Sequence, residues 1–135
     1  MAFNKAVRNR NQLVRFENVS AQGEVAAADS ADASVVVLTN AKFALVVRRI
    51  TCNVYTAAAQ TVTFQSDGAG GDPVFTFTPG TVVGPYTIDY GELGYQLPAG
   101  EGLEIHLAAA GNGFVYVAEV YRIPVSTMTP EQMNA

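Results

Sequence analysis

The feature that most constrains this chain is a series of short segments in which apolar and polar residues alternate one for one. In the second half of the stretch from Ala44 to Tyr55, Ile50, Cys52 and Val54 fall on one side, and Thr51, Asn53 and Tyr55 on the other. The same pattern recurs in 61–65, 74–78, 86–90 and 103–107, with Phe75 and Phe77 sharing a face, and the run 114–123 closes the series. Period-two alternation marks a strand with one buried face, because successive side chains in extended backbone point to opposite sides. Ser34 to Thr39 adds a short β-branched run. Between the runs lie Asp67 to Pro73, Pro79-Gly80, Gly84-Pro85, Pro98-Ala99-Gly100 and Gly111-Asn112-Gly113, each joining Gly to Pro, Asn or Asp. These residues set the backbone angles that tight turns need. Strands at this spacing, with no amphipathic helix between them, predict an all-β chain: an antiparallel β-sandwich or jelly roll of about 7–8 strands.

The strand pattern occupies residues 34–123, read as one β-sandwich domain. Residues 1–33 read as an extended N-terminal arm and 124–135 as an extended C-terminal tail, whose two prolines oppose a helix. Within the arm, Leu13 to Phe16 has the character of an edge strand, and the Ala/Asp run 26–33 that of a loop. A chain of 135 residues is long enough to bury a core without disulfides or metals. Its one cysteine excludes an internal disulfide. No run approaches ~20 apolar residues, so no membrane span is expected. The first residues lack the apolar stretch of a secretion signal, which predicts synthesis and retention in a cytoplasm.

Charge is unevenly spread. Lys5, Arg8, Arg10 and Arg15 supply half of the eight basic residues, and no acid occurs in the first 16 positions. The remaining chain holds four basic against twelve acidic residues. A cationic arm on an acidic body steers association. Together with Phe16, these four cations form the predicted partner contact of the arm. The acidic balance of the whole opposes nucleic acid as that partner, because counterion release needs clustered cations.

The search for chemistry returns little. His106 alternates with Ile105 and Leu107, which faces it away from the core, and no Gly-x-Ser-x-Gly accompanies it as nucleophile. Cys52 lies between Ile50 and Val54 and reads as a small apolar core residue. The loop Asp67 to Asp72 has the oxygen-rich composition of calcium loops without the EF-hand spacing. Glu101 sits in a turn and Glu104 on a polar strand face, with no tryptophan anywhere to frame a sugar cleft. No base, nucleophile and stabiliser can be assigned together, so the reading is of a non-enzyme with no catalytic residues, metal or cofactor. Glu119 stands alone as an acid in the strand from Val115 to Tyr121, which is apolar on both sides. Such a strand is expected to meet the core on one face and a neighbouring subunit on the other. Arg48, Arg49, Tyr116, Glu119, Tyr121 and Arg122 are the predicted subunit contacts, with an arginine pairing Glu119.

The order Ala44–Ile50, Gln60–Ser66, Glu92–Tyr95, Pro98–Leu107 and Val115–Tyr121 resembles small tailed-phage virion proteins with a β-sandwich or jelly-roll core. The shared marks are a basic strand, a valine-threonine-aromatic strand, an alanine-glycine-glutamate-x-leucine turn and a tyrosine-rich last strand. The likeness spans residues 42–123 and leaves the arm outside it. It implies a head decoration, or cement, protein: often a homotrimer bound to the major capsid protein on the exterior of the virion, and made in the host cytoplasm. Two other readings stand beside it. A tail, neck or fibre-attachment component would assemble with a different symmetry. A carbohydrate-binding sandwich would need a patch of exposed aromatic rings.

Overall fold

In the computed structural model, residues 16–69 and 71–125 are described. They form ten strands and no helix: β1 (Glu17–Asn18), β2 (Ala21–Val25), β3 (Ala33–Val36), β4 (Phe43–Thr56), β5 (Val62–Ser66), β6 (Pro73–Phe77), β7 (Gly84–Asp89), β8 (Tyr95–Gln96), β9 (Leu103–Leu107) and β10 (Gly113–Pro124). All pairings are antiparallel. One sheet centres on the long strands β10 and β4, with β1 and β2 along the outer edge of β10 and β7 and β8 along that of β4. The other sheet has the order β3-β9-β5-β6.

Two of the ten strands are continuations. β1 and β2 run along β10 in one direction, broken only at Val19 and Ser20, and β7 and β8 do the same along β4. Merging each pair leaves eight strands, in which first pairs with eighth, second with seventh, third with sixth and fourth with fifth. That wrapping is the jelly roll, and it agrees with the strand number read from the sequence.

The breaks line up across the sheet. The register of β4 against β10 slips at Glu119/Val120, which leaves Arg48 as an extra residue on β4. At that level the Val19 amide donates to the Val120 carbonyl (2.9 Å), and the Val120 amide donates to Ser20 Oγ (3.1 Å). On the other side the Tyr90 amide donates to the Arg48 carbonyl (2.7 Å). One inserted residue reverses the alternation along its strand. Ile50, Cys52 and Val54 therefore point inward above the bulge, and Leu45 and Val47 below it.

Within the segment read as the arm, Glu17–Asn18 and Ala21–Val25 pair with β10 and complete the six-stranded sheet. Those residues gave little strand signal because an edge strand here is held by backbone bonds to β10 and by one buried side chain, Val25. Leu13 to Arg15 and residues 126–135 lie outside the described residues.

The core fills the space between the sheets. Phe64 from one sheet meets Tyr116 from the other edge-on at 5.8 Å, and Phe77 meets Phe114 at 6.0 Å. Such geometry suits the ring quadrupoles. Tyr90 carries its hydroxyl across to the Val74 carbonyl and so ties the two sheets near one edge. The loops at one end are joined by the buried Asn112. Its Oδ1 accepts from the Ala58 amide (2.7 Å) and its Nδ2 donates to the Gln60 carbonyl (2.8 Å). At the opposite end the chain enters at Phe16 and leaves at Val125, whose amide donates to the Lys42 carbonyl.

Candidate interaction surface

The sheets differ in what they turn outward. On the six-stranded sheet, Val115 and Val117 of β10 are 44% and 49% exposed, side by side on one face. Register sets Val115 opposite Asn53 and Val117 opposite Thr51 on β4, and opposite Glu24 and Gln22 on β2. These residues line a shallow groove of about 500 Å3 with a mainly apolar floor. Two polar contacts bound it. At one end Tyr55 of β4 reaches across Gly113 and donates to the Glu24 carboxylate. A Cβ on Gly113 would sit 2.6 Å from the Tyr55 ring, so glycine lets the ring cross. The Glu24 bond, with burial as a lesser cause, raises the Tyr55 pKa. At the other end Arg49 Nε meets Glu119 at 3.0 Å.

Each residue proposed as a subunit contact has a definite place. Arg49 pairs with Glu119 directly across the β4–β10 register, with both side chains about half exposed. Glu119 thus finds its arginine within the chain. Arg48 stacks on the Tyr121 ring, its Cζ 5.4 Å from the centroid. Arg122 lies 4.4 Å over the Phe43 ring and is bonded to Glu17, while its Nε is buried with no hydrogen-bond partner among the described residues. Tyr116 points the other way, 8% exposed and packed between Phe64 and Phe114. Its pKa is raised chiefly by that burial. Facing Tyr116 is Gly23, where a Cβ would lie 2.7 Å from the phenol oxygen.

The two exposed valines are not among the contacts predicted from the sequence. The signal was present in the parity of Glu119: an acid at an odd position marks the odd face as outward, which takes Val115, Val117 and Tyr121 with it and turns Tyr116 in. Of the residues predicted as contacts of the arm, Phe16 is 50% exposed just before β1, and Lys5, Arg8, Arg10 and Arg15 lie outside the described residues.

The groups weighed for chemistry are scattered. His106 faces outward on β9, with Nδ1 2.9 Å from Asp32 Oδ1, both about half exposed. Cys52 is fully buried, and burial pushes its thiol up to about 12, well away from a reactive thiolate. Asp67 holds the loop before β9: its amide donates to the Gly102 carbonyl and its Oδ1 accepts from the Gly102 amide (2.7 Å). Asp72 closes the β5–β6 hairpin by donating its amide to Ser66 Oγ (2.8 Å). Glu104 accepts from Gln65 Nε2 (2.8 Å) on the polar face of β9. Among the described residues no group of three or more His, Cys, Asp or Glu gathers as a metal site.

No protein-family model matches the chain. No curated protein matches it either. Among solved structures it is similar to a chain from the "Cyanophage Pam1 capsid asymmetric unit", at 19% sequence identity and a TM-score of 0.45, covering 81% of this chain and 86% of that one.

Proposed function

We propose that this chain is a structural virion protein that binds the outside of a phage capsid as a decoration or cement protein, self-associating as a homotrimer. The observation that carries the reading is the outward stripe of Val115 and Val117 on a sheet face whose neighbours Thr51, Asn53 and Gln22 are uncharged. Apolar side chains set on a rigid sheet form a surface that gains by being covered. The major capsid protein and further copies of the chain are the partners. A rigid jelly roll supplies shape, and the cationic leader supplies reach. Each contact on a lattice is modest, and repetition multiplies its effect through effective concentration. The role calls on no reacting group, in keeping with the scattered His106, Cys52 and glutamates.

The test is binding to capsid particles that lack the protein, followed by imaging of the loaded particles. The full chain is expected to co-sediment and to raise the temperature at which particles release their genome. Val117→Asp is expected to remain folded and lose binding, whereas Thr63→Asp on the opposite sheet is expected to keep it. Density at the tail or neck, or equal binding by both variants, overturns the reading.

A further inference from the structure

We propose that the groove on the outer face of the six-stranded sheet receives the basic N-terminal leader, residues 1–15, of a second copy of this chain. The inference rests on the reading of the chain as a self-associating module and names what covers its exposed face.

The first support is where the leader begins. β1 lies antiparallel to the end of β10, with Glu17 opposite Arg122, so the chain preceding Phe16 starts at the same end as Val125. Followed back toward Glu17, β1 points off that end of the sheet. A leader of fifteen residues spans up to ~50 Å when extended. The floor of the copy's own groove, at Val117, lies five register positions back along β10, or ~17 Å. Reaching it requires an immediate reversal of the chain, whereas reaching a neighbour set beyond that end requires none.

Charge is the second support. The leader carries Lys5, Arg8, Arg10 and Arg15 with no acid. Glu24 lines one end of the groove, and past Val117 at the other end a second depression is lined by Glu119, Asp89 and Glu92. Arg49 offsets one of these four acids and Arg48 stands close by, so the rim stays acidic on balance. The floor between is uncharged. Valine with amide and hydroxyl side chains suits a segment that contains both apolar residues (Phe3, Val7, Leu13 and Val14) and amides (Asn4, Asn9, Asn11 and Gln12). Such a segment brings apolar side chains to the valines, amides to Asn53 and Gln22, and cations to the rim.

The edges of the molecule favour a face over an edge as the meeting place. The β1–β2 edge is broken at Val19–Ser20 and the β7–β8 edge at 90–94, where Gly91 and Gly94 have positive φ. Pro73 opens the edge strand β6. Broken, proline-bearing edges resist strand addition.

Site-directed crosslinking of the full chain tests the proposal. One preparation carries Asn9→Cys and another Gln22→Cys, with Cys52 shielded in the core. Oxidising the mixture is expected to yield a disulfide-linked dimer joining residues 9 and 22 of different chains, identified by peptide mass spectrometry. Its yield is expected to fall several-fold at about 1 M salt, where the screening length shrinks to ~3 Å. Replacing the four leader cations by glutamine is expected to lower it likewise. A double variant that crosslinks only within one chain, or a mixture giving no 9–22 link, overturns the proposal. The outcome is separable from the capsid reading: particle binding without the 9–22 link leaves that reading standing and sends the leader to the capsid protein.

Discussion

The outer faces of the two sheets rest on one core yet are finished in opposite ways. On the four-stranded sheet, outward side chains satisfy one another across strands. Gln65 donates to Glu104, Thr76 to Thr63 at 3.4 Å, and His106 meets Asp32 from the β2–β3 loop. On the six-stranded sheet the middle of the outer face is occupied by Val115 and Val117; polar contacts stand at the two ends of the groove and at its side, where Thr87 donates to Thr51 at 3.5 Å. The first surface is complete in water. The second leaves apolar area uncovered between strands whose one charge there is Glu24, opposite Val115. The alternation that buries one face of each strand does not fix the other, so an outward valine pair is a property separate from folding.

Because the core is shared, the largest expected effect is one that does not distinguish the faces. Phe64 is fully buried from the four-stranded side and packs on Tyr116 from the other. Phe64→Ala is expected to cost about 3–5 kcal/mol, read by urea denaturation with a single transition at every probe. Two separate transitions would mean that the sheets are independent, and the comparison of two faces on one core would fail. The next effect is confined to the six-stranded side. A Cβ on Gly23 must displace the Tyr116 hydroxyl, so Gly23→Ala is expected to cost about 1–3 kcal/mol and to speed amide exchange along β2. The matched edge substitution Ser34→Ala, at an exposed residue of β3, is expected to stay within about 0.5 kcal/mol. Equal costs would remove the special fit of Tyr116 beneath the edge strand.

How much of this was legible in the sequence varies by element. Strands β5, β7 and β9 were plain because each alternates over its whole length against a single partner face. The lower half of β4 was not, because the Arg48 bulge reverses the inward parity and Ala44–Val47 is buried without alternation. A bulge is decided by the partner strand, and no residue of β4 announces it. The strand at Glu17–Val25 was hidden for a related reason: its Ala, Gln and Gly residues are weak strand formers, and backbone pairing to β10 decides the matter. For the surface, the presence of an arginine for Glu119 was legible, whereas its location inside the same chain depended on register. The phase of Tyr116 was legible from Glu119 and was read the wrong way.

A further difference concerns what lies beneath each face. Cys52 sits under the six-stranded sheet, in register with Tyr116. Its thiol pKa rises from 9.0 to about 12 on burial. Between those values the unfolded chain gives up the proton while the folded chain retains it, so stability falls as pH rises through this window. The loss is at most about 1.4 kcal/mol per pH unit. Cys52→Ala is expected to flatten that part of the alkaline stability curve. Tyr90 and Tyr116, also raised by burial, keep a residual slope of the same sign. Rapid reaction of native protein with a thiol reagent at neutral pH would mean that this sheet opens far more readily than its packing allows.

The smallest effect compares the polar pairs themselves. Arg49–Glu119 and Gln65–Glu104 both join side chains directly opposite each other on neighbouring strands, one at an end of the apolar groove and one in the middle of the polar face. In the isolated chain, the double-mutant cycle for Arg49 and Glu119 is expected to give a coupling of about 0.2–1 kcal/mol, since both groups are half exposed and screened by salt. In the assembled state the two cycles should separate. Covering the groove removes water from Arg49 and Glu119, which strengthens their attraction and raises the penalty for leaving either without the other. The Gln65–Glu104 coupling should not change, because nothing is expected to cover that face. Measuring both cycles in free and particle-bound protein therefore asks which sheet is buried on assembly without presupposing the occupant. A rise in the Gln65–Glu104 coupling alone would transfer the docking surface to the four-stranded sheet.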